Sequence, residues 1–202
     1  MKQKVVGKCY VVGDDIDTDQ IIPAQYLTYN PAIPEERKMF GQFALIGLPD
    51  PSRGLPKGGI PFVREGAGKS EYQVIIAGRN FGCGSSREHA AIAVQEAGVG
   101  AIVAEFYSRI FFRNCVNGGY LVPFETEERL CEIFKTGDEV ELDVSSTTLK
   151  NVTQKKTYRL KSLGAVLPIL EAGDVFQYAK RTGMIKNIDA HPHVEPEKQV
   201  ED

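Results

Sequence analysis

The chain has 202 residues, 42% apolar and 25% charged, which fits a globular protein with one good-sized core or a core plus an appendage. Its formal net charge of -3 argues against a general nucleic-acid surface or an anionic-membrane surface. No apolar run approaches the roughly 18 residues of a membrane span, so no membrane role is expected.

The first residues, Met1-Lys2-Gln3-Lys4, lack the long apolar stretch of a secretory signal and the Arg/Ser-rich character of a transit peptide. Cys9, Cys83, Cys115 and Cys131 are widely spaced with no C-x-x-C pair. That pattern fits a reducing, cytoplasmic setting and argues against a metal cage or an iron–sulfur cluster built from this chain alone.

Residues 5–12 alternate and then run apolar, as an early strand does. They lead into Gly13-Asp14-Asp15-Ile16-Asp17-Thr18-Asp19-Gln20. The run Asp15-x-Asp17-x-Asp19 opens like a calcium loop, but Gln20 stands where the sharp-turn Gly belongs and Tyr26 where the bidentate Glu belongs. Calcium is therefore not expected; the run is a solvated acidic turn, or one of its aspartates faces a substrate. Residues 21–31, rich in proline and tyrosine, read as an ordered loop. A short helix follows from Pro34, with Met39, Phe40 and Phe43 on one face. Residues 47–70 form a long loop; its Gly66-Ala67-Gly68-Lys69-Ser70 lacks the leading Gly of a phosphate loop (Val63 stands there) and reads as a turn.

Tyr72-Gln73-Val74-Ile75-Ile76-Ala77 reads as a buried strand and Ala90–Ala97 as an alanine-rich helix capped by Gly98. Between them lies Gly78-Arg79-Asn80-Phe81-Gly82-Cys83-Gly84-Ser85-Ser86-Arg87-Glu88-His89. Glycines and hydroxyls before a helix gather backbone N–H groups and the positive end of the dipole at one point, a ready site for an anion. Arg87 adds a forked cation suited to a carboxylate or phosphate. Ser85 and Glu88 also have the spacing of a capping box, and capping and anion binding are compatible. Dinucleotide binding is disfavoured because Arg87 occupies the third fingerprint position, where glycine is needed. Cys83 precedes a helix start, where thiol pKa values tend to fall, or it simply fills a tight loop.

Ala101-Ile102-Val103-Ala104 reads as a strand, Tyr107–Cys115 as a helix with Arg109 and Arg113 on one edge, and Tyr120–Pro123 as a strand. A helix is expected over Glu125–Phe134, a hairpin from 140–144 and 156–160, and a last helix over Ala172–Lys180. From Lys186 a polar tail begins, and His191 and His193 make a poor metal site on it. The mixed order predicts a β-rich α/β domain over 1–186 whose strands close partly into a barrel, followed by a tail at 187–202.

Asp15-Ile16-Asp17-Thr18-Asp19-Gln20-Ile21-Ile22-Pro23-Ala24 and Gly78-x-Asn80-Phe81-Gly82-Cys83-Gly84-Ser85-Ser86-Arg87-Glu88-His89-Ala90 together resemble the aconitase superfamily. Within it they resemble the isopropylmalate isomerase branch, where the swivelling domain is a separate small chain. The resemblance extends over nearly all of residues 5–186, including Arg109–Asn114 and Arg181–Ile185. It implies a hydro-lyase, active only with a large subunit, in a heterodimer or heterotetramer. The large subunit is expected to hold a [4Fe-4S] cluster, with no cofactor or metal on this chain, and the substrate is a small hydroxy-dicarboxylate. Ser85 matches the catalytic base, Ser86 and Arg87 match substrate-carboxylate binders, and Asp19 matches an active-site aspartate.

Aconitase has an arginine twelve residues beyond that aspartate, gripping a third carboxylate; this chain has Pro31 there. Tyr26, Leu27, Thr28 and Tyr29 are therefore expected to form a specificity loop for an apolar branch, because an unpaired third carboxylate would be costly. Relatives acting on homoaconitate, citraconate or dimethylmalate are the alternatives within the class. An RNA-binding role, known for some aconitase relatives, is disfavoured by the charge and the lack of a basic stripe.

Overall fold

In the computed structural model, which describes residues 3–185, the strands are β1 (Lys4–Val11), β2 (Tyr72–Ile76), β3 (Ala101–Ala104), β4 (Val122–Glu125), β5 (Glu139–Asp143), β6 (Thr148–Asn151) and β7 (Lys156–Arg159). They form one seven-stranded sheet in the order β4-β3-β2-β1-β5-β6-β7. The first four run parallel to one another, whereas β5, β6 and β7 are an antiparallel meander added to the free edge of β1.

Side chains alternate between two faces, as a strand's period of two requires. Val5, Cys9, Val11, Val74, Ile76 and Val103 point into one apolar cluster with Phe124, Leu142 and Leu149. Tyr10, Val12, Ile75, Ile102 and Ala104 point into the other, beneath the helices. The sheet curls around the first cluster. The Lys161 N–H, just past β7, donates to the Glu125 carbonyl at the end of β4 at 2.8 Å, bringing the two sheet edges together. The expected partly closed barrel with flanking helices is the observed fold.

The helices are α1 (Thr18–Ile21), α2 (Pro34–Gln42), α3 (Glu88–Glu96), α4 (Arg109–Asn117), α5 (Leu167–Ala172) and α6 (Val175–Arg181). α3 buries Ala90, Ala91, Ile92, Ala93 and Val94, and this small-residue surface lets it lie close on the sheet and on α2.

Four expectations change. Residues 21–31 include the end of α1 and a 3-10 turn at Ala24–Tyr26. The helix expected over Glu125–Phe134 is only a 3-10 turn at Leu130–Glu132, because Thr126 Oγ accepts the Glu128 N–H at 3.1 Å and starts a turn in place of a helix. The expected hairpin is a meander, since β6 lies between β5 and β7. The last helix is split, with Gly173 ending α5 and the Asp174 carboxylate accepting from the Gln177 N–H at 2.7 Å to cap α6. The expected tail at 187–202, with His191 and His193, lies outside the described residues.

Candidate active site

β1 and β2 are parallel neighbours at the middle of the sheet, so the loops leaving their carboxyl ends emerge side by side. The acidic loop (13–20) and the glycine loop (78–87) are then stitched together backbone to backbone. Gly82 N–H donates to the Ile16 carbonyl at 2.7 Å, Asp15 N–H to Arg79 at 2.8 Å and Thr18 N–H to Cys83 at 2.9 Å. Asp15 and Asn80 both adopt left-handed backbone conformations (φ 53° and 60°), and the Asn80 side-chain amide donates to Asp15 Oδ1 at 2.8 Å. Gly82 is required on two counts: its φ is 77°, and a Cβ there would lie 2.2 Å from the Phe111 ring.

Within the acidic run, each aspartate has a separate task. Asp17 forms the capping box of α1, accepting from the Gln20 N–H at 2.7 Å while Gln20 Oε1 accepts from the Asp17 N–H at 2.9 Å. Thr18 is buried, and its hydroxyl oxygen accepts the Ser85 N–H at 3.1 Å, fixing the backbone from which the serine side chain projects. Asp19, in the first turn of α1, is ion-paired with Arg87 Nη1. The same nitrogen also donates to the Ile22 carbonyl at 3.4 Å. The Arg87 side chain is 18% exposed while that of Asp19 is 61% exposed, so the carboxylate pins an otherwise sheltered guanidinium from the solvent side. Among the described residues Nε and Nη2 of Arg87 have no protein acceptor, and together they present an edge whose geometry suits a carboxylate through two parallel hydrogen bonds.

Arg87 and Asp19 are thus paired, the Ser85 backbone is tied to Thr18 beside Asp19, and Ser85 and Ser86, which directly precede Arg87, are both exposed. The local helix start differs from expectation. α3 begins at Glu88 with Arg87 as its N-cap and no side-chain cap, so Ser85 and Glu88 form no capping box. The Arg87 N–H instead donates back to the Ser85 carbonyl at 2.8 Å, a tight turn that keeps Ser85 outside the helix. The uncapped end leaves the positive pole of the helix open beside two hydroxyls, a stronger anion seat than a capped one.

The 26–29 segment packs nearby. Tyr26 stacks on Phe43 with ring centroids 4.0 Å apart, and Tyr29 lies parallel to the same ring at 6.3 Å. Tyr29 also meets Phe40 edge-on at 6.1 Å, and Phe40 is 5.3 Å from His89 in the first turn of α3. Leu27 is half-buried against the same core and Thr28 is exposed.

Two further groups hold the loops in place and gave little sign in the sequence. Arg129 binds Asp14 through both arms, at 2.9 and 3.0 Å, and reaches Glu105 at 2.7 Å and Glu132 at 2.6 Å. The Asp14 carboxylate also accepts the Arg79 N–H at 2.8 Å, so it links both loops to the segment before β5. The Arg129 hydrogen bonds are the main cause that holds the Asp14 pKa at about 2. Asp14, Glu105 and Cys131 come within 4.8 Å of one another, but the Arg129 guanidinium binds both carboxylates, so this set does not fit a metal ion.

Of the two readings of Cys83, the lowered thiol pKa of a helix start is not the one found. Burial first, and then the charges of Asp17 and Asp15, raise its pKa, and the thiol fills the tight loop. Cys9, Cys115 and Cys131 are buried and unpaired, and burial raises the pKa of each. The four thiols do not fit an iron–sulfur cluster. No helix of the described residues is long and apolar enough to cross a membrane.

Residues 65–129, which hold the glycine loop and α3, match the aconitase C-terminal domain family. The 3-isopropylmalate dehydratase small subunit 3 of Arabidopsis thaliana is 51% identical over 182 residues, covering 89% of this chain and 70% of that protein. The 3-isopropylmalate dehydratase small subunit of Pyrobaculum aerophilum is 44% identical over 180 residues, covering 89% of this chain and 99% of that one. The crystal structure of a 3-isopropylmalate dehydratase from Methanocaldococcus jannaschii superimposes with a TM-score of 0.70 at 34% identity, covering 90% of this chain and 96% of that chain. With that fold, those two loops and that identity along nearly its whole length, the chain belongs to the 3-isopropylmalate dehydratase small subunits of the aconitase superfamily.

Proposed function

We propose that this chain is the small subunit of a hydro-lyase that interconverts 2-isopropylmalate and 3-isopropylmalate in leucine biosynthesis. A large subunit completes the site, in a cytoplasmic heterodimer or heterotetramer. The observation that carries the reading is Arg87: one arm is anchored by Asp19, and the other two donors stay open beside two exposed hydroxyls at an uncapped helix start.

The open Nε–Nη2 edge of Arg87 binds one carboxylate of the substrate, and the Ser86 hydroxyl donates to the same group. Ser85, as its alkoxide, takes the proton from the carbon next to the hydroxyl-bearing one and becomes a neutral hydroxyl; rehydration returns that proton to carbon. A serine is a weak acid, so the alkoxide needs strong stabilisation. The free N–H groups at the start of α3 and the guanidinium supply it. Both serines are exposed here, and water would quench that stabilisation, so closure by the large subunit is part of the chemistry. The [4Fe-4S] cluster belongs to the large subunit, where it supplies Lewis acidity toward the departing hydroxyl.

The 26–29 loop carries no cation, and the next residues, Asn30 and Pro31, add none. A substrate with a third carboxylate would leave that charge unpaired, while an isopropyl branch suits Leu27 and the tyrosine rings. Mixing this chain anaerobically with its large subunit should give turnover of 2-isopropylmalate that neither chain shows alone, with kcat/KM at least about 100-fold above that for homoaconitate. A preference for homoaconitate would contradict the assignment.

A further inference from the structure

We infer that Phe43 is a positioning residue for substrate specificity: its ring is the fixed surface on which Tyr26 and Tyr29 are held. The inference rests on the reading of 26–29 as the loop that meets the substrate's branch. Tyr26 lies on Phe43 at 4.0 Å with the ring planes 13° apart, and Tyr29 is parallel to it within 9° at 6.3 Å. Phe43 is the residue immediately after α2, so its position follows that helix. α2 in turn is held rigidly on α3. A Cβ on Gly41 would lie 2.6 Å from the Glu96 backbone, so the two helices touch main chain to main chain. Arg37 of α2 binds Glu96 at 2.6 Å and Gln95 at 2.8 Å on α3. Phe40, fully buried, meets Tyr29 on one side and His89 on the other.

His89 is two residues from Arg87, so an aromatic relay runs from the carboxylate-binding end of α3 through α2 to the specificity loop. The distance between the carboxylate grip and the wall facing the branch is thereby set by packed rings. The segment itself has little regular structure, a single 3-10 turn, so without Phe43 the tyrosines lose their flat support. A loosened wall discriminates poorly between branches of different size, because each methylene is worth only roughly 10- to 200-fold even in a firm pocket.

The test is the ratio of kcat/KM for 3-isopropylmalate to kcat/KM for 3-methylmalate, measured on the reconstituted two-subunit enzyme. Both substrates are read on the same active sites, so the ratio does not change when part of a variant misfolds. Phe43→Leu, which keeps apolar bulk but removes the ring face, should lower the ratio about tenfold. Phe43→Tyr, which restores the ring, should return it to within about twofold of the parent value. An unchanged ratio in Phe43→Leu, with a lowered ratio in Leu27→Ala, would overturn the role of Phe43 and leave the loop assignment standing. Unchanged ratios in both variants would overturn the loop assignment together with this inference.

Discussion

Arg87 is where charge, geometry and chemistry meet. Its anchored Nη1 fixes the plane of the guanidinium, and its remaining edge can bind a carboxylate only because that plane is fixed. Lysine keeps the charge but has no fork, and a single ammonium cannot serve Asp19, the Ile22 carbonyl and a substrate carboxylate with the same geometry. Arg87→Lys should therefore raise KM for isopropylmalate about tenfold or more, with kcat falling less steeply. Steady-state kinetics on the reconstituted enzyme would read this directly, and an unchanged KM would remove Arg87 from substrate binding. Thr18 and Cys83 serve beside it without touching chemistry, one holding the Ser85 backbone and the other filling the turn.

The elements hold these residues through the pairing of two loops, and the Asp14–Arg129 link fastens that pair to the rest of the fold. Asp14 has a folded pKa of about 2 against an ordinary 3.8, so its contribution to stability is fully present above the ordinary value. That contribution is lost as pH falls through the folded value. Asp14→Asn should cost on the order of 1 kcal/mol at neutral pH, the pair being partly open to solvent screening. The gap between the two proteins should close as acid takes the wild type toward pH 2. Urea unfolding of both across that range checks it, and a gap that persists unchanged would contradict the account.

Local patterns made the central elements readable. The apolar runs at β1, β2 and β3 and the alanine face of α3 announce themselves by periodicity and composition. The meander was less legible, because β6 is a four-residue strand, Thr148–Asn151, with little apolar signal of its own. At the site, Ser85, Ser86, Arg87 and Asp19 take their expected roles from the family resemblance, and the structure pairs Arg87 with Asp19 and ties the Ser85 backbone to Thr18 next to Asp19. The Ser85–Glu88 capping pattern was misleading, because a turn through Arg87 delays the helix. Arg129 gave no signal at all: its partner Asp14 lies far away in the chain, and only the fold brings them into contact. Phe43 was visible as an apolar helix-face residue, but its stacking on two tyrosines was not.

At the scale of the whole molecule, the sheet order sets the site in the middle and leaves it open. Central parallel strands deliver both loops to one rim, while the added meander curls the far edge back to β4 and stiffens the platform beneath. The chain thus presents an anchored arginine, two hydroxyls and an unshielded helix end to whatever closes over them, and such an arrangement has little catalytic power in open water. In the proposed division of labour this chain removes the proton from carbon, and the large subunit supplies enclosure and Lewis acidity. The most direct test supplies the alkene intermediate to the complete two-subunit enzyme, its serine already equilibrated with heavy water, and follows deuterium into the carbon-bound position of the isopropylmalate formed. The parent enzyme should incorporate the label, and Ser85→Ala should abolish incorporation while still assembling with the large subunit and binding substrate. Label entering the Ser85→Ala enzyme at the parent rate would contradict the account.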